Sequence, residues 1–205
     1  MRGILVTFEG IDGSGTTSVA KKVAARLRRR GLPVVLTTEP TKTWLGDAVK
    51  RSYKEPVSNF TEAFLFIADR ATHTTAIEKM LRRGKLVICD RYCDSTYAYQ
   101  AARLKGMVKD PMKWLERISE PFIIEPDLTI LLDIDPRRGL RRIAARKNTV
   151  HFENEPFLKQ VRRNYLTLAR KKRFIILDAS RSLDGVVEDS VKAISTRLPG
   201  PPGPR

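Results

Sequence analysis

FEGIDGSGTTS, residues 8–18, is a glycine-rich loop between an apolar run, Ile4–Phe8, and a segment of helical periodicity, Ser18–Arg30. A short apolar run is typical of a buried strand, so the order is strand, loop and helix. The three glycines allow backbone N–H groups to surround phosphate oxygens, and the N-terminus of the helix adds positive potential. The stretch therefore predicts a phosphate-binding loop at the edge of an α/β sheet.

Two threonines of this loop lead to different expectations. Thr17 lies where such loops place the hydroxyl that ligates Mg²⁺. Thr16 lies where the same motif has a lysine that reaches the outer phosphates, so this cation is missing. The loop predicts binding of nucleotide phosphates, while the substitution leaves open how their charge is neutralised.

Composition limits the class of protein. The 205 residues, 41% of them hydrophobic, suffice for one α/β domain with a buried core. No run approaches the ~18 apolar residues of a membrane helix, and Met1 leads almost directly into a strand, so we expect neither a signal peptide nor a membrane span. The two cysteines, Cys89 and Cys93, lack a nearby histidine and are expected to be reduced structural thiols of a cytoplasmic protein.

The formal net charge of +16 would attract polyanions. The cations are spread over several predicted helices, however, and no aromatic stripe accompanies them, as surfaces that bind single strands usually require. We therefore expect no nucleic acid partner. A heat-adapted surface rich in ion pairs accounts for the same charge.

Apolar runs alternate with helical periodicity, which predicts a doubly wound parallel sheet with ligands at the carboxyl ends of its strands. Strands are expected at Ile4–Phe8, Val34–Thr38, Leu86–Asp90, Leu128–Leu132 and Phe174–Leu177. Helices are expected at Ser18–Arg30, Thr43–Ser52, Asn59–Arg83, Ser95–Leu104, Pro111–Glu120, Pro136–Lys147, Glu155–Lys171 and Leu183–Arg197. We see no linker between domains, so residues 1–198 are expected to form one domain, followed by a disordered Pro/Gly-rich tail, 199–205.

Several side chains near the expected ligand edge are suited to a nucleotide. Phe66 and Arg70 lie four residues apart on one helical face, where a ring can stack on a base and a guanidinium can donate to its edge. Asp90 and Arg91 directly follow one predicted strand, and Glu39 follows another. Each group also suits an ordinary structural role, as a core aromatic, a surface cation or half of a buried ion pair. The residues alone leave both roles open.

The predicted helix 136–147 concentrates cations. They are Arg137, Arg138, Arg141, Arg142, Arg146 and Lys147. Like charges at i, i+4 spacing repel one another modestly unless a polyanion is near. We expect either a solvated charged helix or a lid, at about residues 137–153, that closes over a triphosphate.

Five motifs in order make the chain resemble thymidylate kinases from Ile4 to about Arg197. The family's F-E-G-x-D-G-x-G, T-R-E-P, F-x-x-x-R, D-R-Y and P-D-L-T-x-x-L-D correspond to residues 8–15, 37–40, 66–70, 90–92 and 126–133. The run EPTKTWLG, residues 39–46, is most similar to the archaeal branch. The resemblance implies a P-loop NTPase fold with three α/β/α layers and a five-stranded parallel sheet, as in nucleoside monophosphate kinases. It also implies ATP as phosphoryl donor, Mg²⁺, dTMP as acceptor, and a homodimer.

The resemblance further implies roles for individual residues. Phe66 would stack on thymine, Arg70 would hydrogen-bond its edge, and Tyr99 would crowd the sugar 2′ position. The acceptor would be bound by Glu39, Phe66, Arg70, Asp90, Arg91, Ser95, Thr96 and Tyr99. ATP would be bound by Gly10, Ile11, Asp12, Gly13, Ser14, Gly15, Thr16, Thr17 and Ser18. Catalytic roles would belong to Asp12, Arg91, Arg141, Arg142 and Arg146, and Mg²⁺ would be held by Thr17 and Asp90.

The sequence departs from the family pattern at three places. Thr16 replaces the loop lysine, Thr38 replaces the arginine of T-R-E-P, and VHFE, residues 150–153, replaces D-x-[F/Y]-E. Losing one charged contact to a transferring phosphoryl group would cost about 3–4 kcal/mol if nothing replaced it. We expect lid arginines to supply the missing charge when ATP binds, from among Arg138, Arg141, Arg142 and Arg146.

Two alternatives to dTMP phosphorylation stay open. The acceptor site is close to two of the departures, so the chain could phosphorylate dUMP or another monophosphate instead. Because the loop lysine is missing, it could also be a non-catalytic protein that binds nucleotides.

Overall fold

A computed structural model describes residues 2–145 and 154–198. It contains one parallel sheet of five strands in the order β2-β3-β1-β4-β5. The strands are β1 Ile4–Glu9, β2 Val34–Thr38, β3 Leu86–Asp90, β4 Leu128–Asp133 and β5 Phe174–Asp178. Val6 pairs with Ile88 on one side and Leu128 on the other, so β1 is the central strand. The loops that follow β1 and β3 therefore meet at the carboxyl edge of the sheet.

Helices connect and flank the strands in the described chain. They are α1 Thr16–Arg29, α2 Trp44–Ser52, α3 Asn59–Arg82, α4 Cys93–Arg103, α5 Pro111–Ser119, α6 Pro136–Ala144, α7 Glu155–Leu168 and α8 Leu183–Ser195. α1 packs against α8, whereas α4 packs against α3, α5 and α7. A continuous cluster of buried apolar side chains joins both helix groups to the sheet. The parallel α/β fold expected from the sequence is confirmed.

The helices that carry site residues begin where the sequence supplies a cap. Ser58 accepts a hydrogen bond from the Thr61 N–H at the start of α3. Asp135 accepts from two backbone N–H groups at the start of α6, with Pro136 in the first turn. These caps fix the position at which each helix leaves the preceding loop.

Several helix boundaries differ from the sequence expectation. α4 begins at Cys93 rather than Ser95, and α8 ends at Ser195 rather than Arg197. Two further differences have a local cause. α1 begins at Thr16, two residues early, because Gly15 adopts a left-handed conformation with φ 96° and ends the loop. α7 ends at Leu168 rather than Lys171, because the next residues form tight turns in which the Lys171 N–H donates to the Leu168 carbonyl. Local turn geometry thus overrides the helical pattern at both places.

Some expectations lie outside the described residues. These are the end of the predicted helix 136–147, the catalytic role of Arg146, most of the lid expected at 137–153, the VHFE element and the tail 199–205. Within residues 2–145 and 154–198, no helix combines the length and the apolar character needed to cross a bilayer.

Candidate active site

The glycine-rich loop between β1 and α1 is packed against the start of α6. Gly13 has φ 82°, and a Cβ atom there would lie 2.2 Å from the carbonyl oxygen of Gly139. Only glycine permits so close an approach in this conformation. Arg142, one turn further along α6, donates through Nη1 to the Gly13 carbonyl at 3.4 Å. The contact between the two glycines therefore brings a cation of α6 to the loop.

The loop offers hydrogen-bond donors that are suited to a phosphate. Ser14 Oγ is buried and has no hydrogen-bond partner in the part of the chain that the structure describes. No side chain caps the N-terminus of α1 after Gly15, so its first N–H groups can receive an anion. Thr16 is buried in the first turn and brings no charge to the loop.

Thr17 and Asp90 are suited to a divalent cation. The Thr17 hydroxyl donates to Asp90 Oδ2 at 2.5 Å, while the buried Asp90 Oδ1 has no partner among the described residues. A hydroxyl and a carboxylate are the oxygen ligands that Mg²⁺ prefers, and Mg²⁺ is commonly bound by one or two carboxylates together with substrate phosphates and water. No cluster of three or more His, Cys, Asp or Glu side chains suited to a metal occurs in residues 2–145 and 154–198. Thr17 and Asp90 therefore fit a Mg²⁺ ion that takes its other ligands from substrate phosphates and water.

Arg91 follows β3 in a rare backbone conformation, with φ 67°. Its Nη2 donates to Asp12 Oδ1 at 2.6 Å, and its guanidinium lies 5.2 Å from the centre of the Tyr99 ring. The Tyr99 hydroxyl accepts from the Asp12 N–H at 2.8 Å. Burial opposes the charge of Arg91, but Tyr99 and Asp12 outweigh it and hold the pKa of Arg91 well above its ordinary value. A permanent cation is thus fixed beside the loop.

Glu9, the last residue of β1, holds the turn that carries Arg91. Its Oε1 accepts from the Tyr92 N–H at 2.7 Å, and its Oε2 accepts from the hydroxyls of Ser95 at 2.6 Å and Tyr165 at 2.9 Å. Burial, and next the charge of Asp94, raise the pKa of Glu9 to about 8. Ser95, which the resemblance places against the base, is therefore engaged with Glu9, although it also lines the cavity described below.

Arg70 is only 1% exposed and is surrounded by acceptors. Its Nε donates to Glu39 Oε2 at 2.9 Å, its Nη1 to the Thr96 hydroxyl at 2.7 Å and its Nη2 to the Tyr92 carbonyl at 3.0 Å. The other oxygen of Glu39 lies 2.8 Å from His73 Nδ1. Nη1 carries two hydrogens, so one further N–H is left for a ligand. Thr96 acts on the site through Arg70 and does not itself line the cavity.

These groups surround a cavity of about 290 Å³ at the carboxyl edge of the sheet. It brings together most of the acceptor and metal residues expected from the sequence: Asp12, Thr17, Glu39, Phe66, Arg70, Asp90, Arg91, Ser95 and Tyr99. Cations and hydroxyls suited to phosphates thus share one space with an aromatic ring and a guanidinium suited to a base.

A second cavity, of about 180 Å³, adjoins the same loop on the side of α8. Its lining includes Ser14, Arg142, Arg181 and Leu183. Both cavities therefore border the glycine-rich loop, on different sides of it.

The family model for thymidylate kinase matches residues 8–190. The chain is 41% identical over 199 residues to a probable thymidylate kinase of Methanococcoides burtonii, which covers 96% of this chain and 98% of the relative. It is 42% identical over 198 residues to a probable thymidylate kinase of Methanosarcina barkeri, which covers 95% and 97%. A third relative, from Methanoculleus marisnigri, is 44% identical over 181 residues, or 86% of each chain.

The chain belongs to the thymidylate kinase family. These relatives are archaeal, so the archaeal character expected from the EPTKTWLG run is confirmed. Membership makes the protein a nucleoside monophosphate kinase by family, with the fold that its sheet displays.

The structure adds cavity residues that the motifs of the thymidylate kinase family did not reveal. They include Tyr53, Glu62 and Arg103, and Gln100, which continues the D-R-Y pattern on α4, lines the cavity with them. Glu62 lies one helical turn before Phe66, and Arg103 lies one turn after Tyr99. Extending the i, i+4 pattern of Phe66 and Arg70 along both helices would have found them. Tyr53 follows the end of α2 and has no such signal.

The departures from the thymidylate kinase pattern have different surroundings. Thr38 donates through its hydroxyl to the Asp90 carbonyl at 3.1 Å and so joins the ends of β2 and β3. Arg141 is exposed, whereas Arg142 is half-buried beside the loop. Of these two lid cations expected to help catalysis, Arg142 alone contacts the loop in this structure.

Proposed function

We propose that this protein transfers the γ-phosphoryl group of ATP to the 5′-phosphate of dTMP, giving ADP and dTDP. The observation that carries the proposal is the composition of the 290 Å³ cavity. Phosphate-binding and base-binding groups line the same space, which suits an acceptor that has both a phosphate and a base. A binding module for phosphate alone would not need Phe66 and Arg70 there.

The acceptor would be held by its base and its phosphate. Phe66 would stack on thymine, Arg70 would donate its remaining N–H to the ring edge, and Tyr99 would lie against the sugar. Arg91, fixed by Asp12, would bind the acceptor phosphate and draw it toward the loop. The acceptor phosphate is already an anion, so the reaction needs no strong general base.

The donor would be held by the loop and the start of α1, whose N–H groups would surround its phosphates. During transfer the acceptor oxygen forms a bond to the γ-phosphorus while the bond from that phosphorus to the bridging oxygen breaks and leaves ADP. Thr17 and Asp90 would hold Mg²⁺, which would supply positive charge to the phosphates of the donor. The second cavity, between Arg142 and Arg181, would receive the base of ATP.

A cation of α6 would replace the charge of the lysine that the loop lacks at position 16. Arg142 is the lid cation that already touches the loop in the described chain, and we propose that it takes the place of the loop lysine. Arg141 and Arg146, in a lid at about residues 137–153, would add to it when ATP binds. A charge supplied this way is positioned by the contact between Gly13 and Gly139.

The protein would function as a homodimer in the cytoplasm. Phe64 is 48% exposed and Met107 is 59% exposed, and the Phe64 ring centre lies 6.0 Å from that of Trp114. The exposed ring of Phe64 on α3 and the exposed thioether of Met107, between α4 and α5, are suited to a second copy of the chain. Both cysteines are buried free thiols, which fits a reducing compartment.

A panel of acceptors tests the proposed substrate. ADP release would be measured with ATP and Mg²⁺ and with dTMP, dUMP, dCMP, dGMP or UMP added singly. We expect rapid release with dTMP and little with UMP, because in the proposed binding mode Tyr99 would crowd a 2′-hydroxyl. A preference for dUMP or another monophosphate would support the alternative acceptor. The absence of the family's arginine at position 38 favours that alternative. ATP binding without release from any acceptor would support a non-catalytic protein.

A further inference from the structure

A buried carboxylate in the wall of the 290 Å³ cavity has no part in the proposed phosphoryl transfer. Glu62, in the first turn of α3, is 7% exposed, and Gln100 on α4 is 2% exposed. Gln100 Nε2 donates to Glu62 Oε1 at 2.8 Å, and Arg103 Nε lies 3.1 Å from the same oxygen. All three side chains line the cavity together with Phe66 and Arg70.

Glu62 determines which way the Gln100 amide is turned. The two ends of a glutamine amide have nearly the same shape, but one donates and the other accepts. An ionised carboxylate only accepts, and the guanidinium of Arg103 stabilises its charge. Turning the amide over would place two oxygens at hydrogen-bond distance in a buried site, which is strongly unfavourable. Gln100 Nε2 is therefore committed to Glu62, and Oε1 is the group left for a ligand.

We infer that Glu62 is a positioning residue that selects the base, because it makes Gln100 present an acceptor to the cavity beside the donor of Arg70. Thymine and uracil carry a carbonyl oxygen, O4, next to an N3–H donor, and they match this pair. Cytosine carries an amino group next to an unprotonated N3, so both contacts would be mismatched. The inference rests on the proposed acceptor nucleotide and explains how the protein distinguishes its base from cytosine.

The size of the effect follows from burial. A buried donor or acceptor left facing a like group loses its hydrogen bond to water without replacement. Sites built on such pairs reject the mismatched analogue far more strongly than apolar pockets do. We therefore expect wild-type protein to prefer dTMP to dCMP by at least about a hundredfold.

Glu62→Gln is the decisive variant. A neutral amide at position 62 can either accept from Gln100 Nε2 or donate to Gln100 Oε1, so Gln100 becomes free to present either end. The ratio of kcat/KM for dTMP to that for dCMP should fall at least about tenfold, with the dCMP value rising. The dissociation constants of both nucleotides, measured by calorimetry, should change in the same direction. Glu78→Gln is the matched control, since Glu78 lies on the same helix and pairs with Arg82 at the surface.

A ratio within twofold of wild type in a folded Glu62→Gln protein would overturn the inference. Gln100→Leu provides a second route if Glu62→Gln does not fold. It should weaken dTMP binding at least about tenfold without weakening dCMP binding, and an unchanged ratio would again overturn the inference. Wild-type protein that binds neither dTMP nor dUMP would overturn the proposed acceptor and this inference together. Normal dTMP binding with an unaltered ratio in the variants would overturn the inference alone.

Discussion

Thr16 leaves the glycine-rich loop without the cation of the family motif, and a different element brings a cation to the loop. Its side chain is buried in the first turn of α1, and its expected contribution to phosphate binding comes from its backbone N–H. Arg142 reaches the loop from α6 instead, with Nη1 3.4 Å from the Gly13 carbonyl. The cation and the loop therefore belong to separate parts of the chain.

Arg142→Ala should lower kcat at least about a hundredfold, because one charged contact to the transferring group is lost. Thr16→Ala should change kcat little, since a methyl group replaces a hydroxyl that carries no charge. Arg137→Ala is the matched control on α6, where Arg137 pairs with Glu155 at the surface. Steady-state kinetics with saturating ATP and acceptor measure all three. If Thr16→Lys raised kcat by orders of magnitude, Arg142 would not be a replacement for the lysine.

Glu9 should make stability depend on pH. Burial raises its pKa from an ordinary value of 4.5 to about 8. The folded protein thus holds this proton more tightly than the unfolded chain, so the stabilisation is fully present below the unfolded pKa. It is lost as the pH rises through about 8. Ionised Glu9 costs stability, while Glu9→Gln has no proton to lose.

Relative to that of Glu9→Gln, the free energy of unfolding of wild type should therefore fall by on the order of 3 kcal/mol between about pH 5 and about pH 9. Urea denaturation at both pH values measures it. A difference that is constant, or that moves in favour of wild type as the pH rises, would show that Glu9 is ionised throughout.

At the scale of elements, the proposed replacement of the loop lysine by Arg142 depends on the contact between the loop and α6. Gly13→Ala would place Cβ 2.2 Å from the Gly139 carbonyl and force the two elements apart. Gly31→Ala is the matched control, because Gly31 has nearly the same φ, 81°, with nothing within 4 Å of the added Cβ. Both variants share the backbone strain of about 1–2 kcal/mol, and Gly13→Ala alone adds the clash.

We expect Gly13→Ala to lose most of its ATP affinity and to unfold at lower temperature than Gly31→Ala, as calorimetry and thermal melting would show. Equal ATP binding by the two variants would mean that α6 does not need to approach the loop for the nucleotide to bind.

Elements that carry a strong periodic signal were predictable from the sequence, and contacts between elements were not. The apolar runs at β1 and β3 and the caps at Ser58 and Asp135 identify the strands and the helix starts. The same patterns do not reveal that Gly139 meets Gly13, because residues 126 positions apart share no local pattern. The Glu62–Gln100 pair was missed for the same reason, since it joins two helices that only the folded sheet brings together.

At the scale of the whole molecule, the exposed Phe64 of α3, which contacts the half-buried Trp114 of α5, is the basis of the proposed association. Phe64→Glu would place a charge beside Trp114 and should convert a dimer into a monomer, because a buried unpaired charge is costly. Leu166→Glu is the control, since Leu166 is an exposed leucine on a different helix, α7. Light scattering coupled to size-exclusion chromatography gives both masses. A monomeric wild type would contradict the proposed dimer. A dimeric Phe64→Glu variant would mean that the interface lies elsewhere.

The measurement that tests the whole account most directly is the identity of the products. Wild-type protein would be incubated with ATP, Mg²⁺ and dTMP, and the nucleotides would be separated and quantified by ion-exchange chromatography. We predict that dTDP and ADP appear in equal amounts and that both are lost in Arg91→Ala, which removes the cation proposed to bind the acceptor phosphate. ATP binding without dTDP would contradict the account and would make the missing loop lysine the simplest reason.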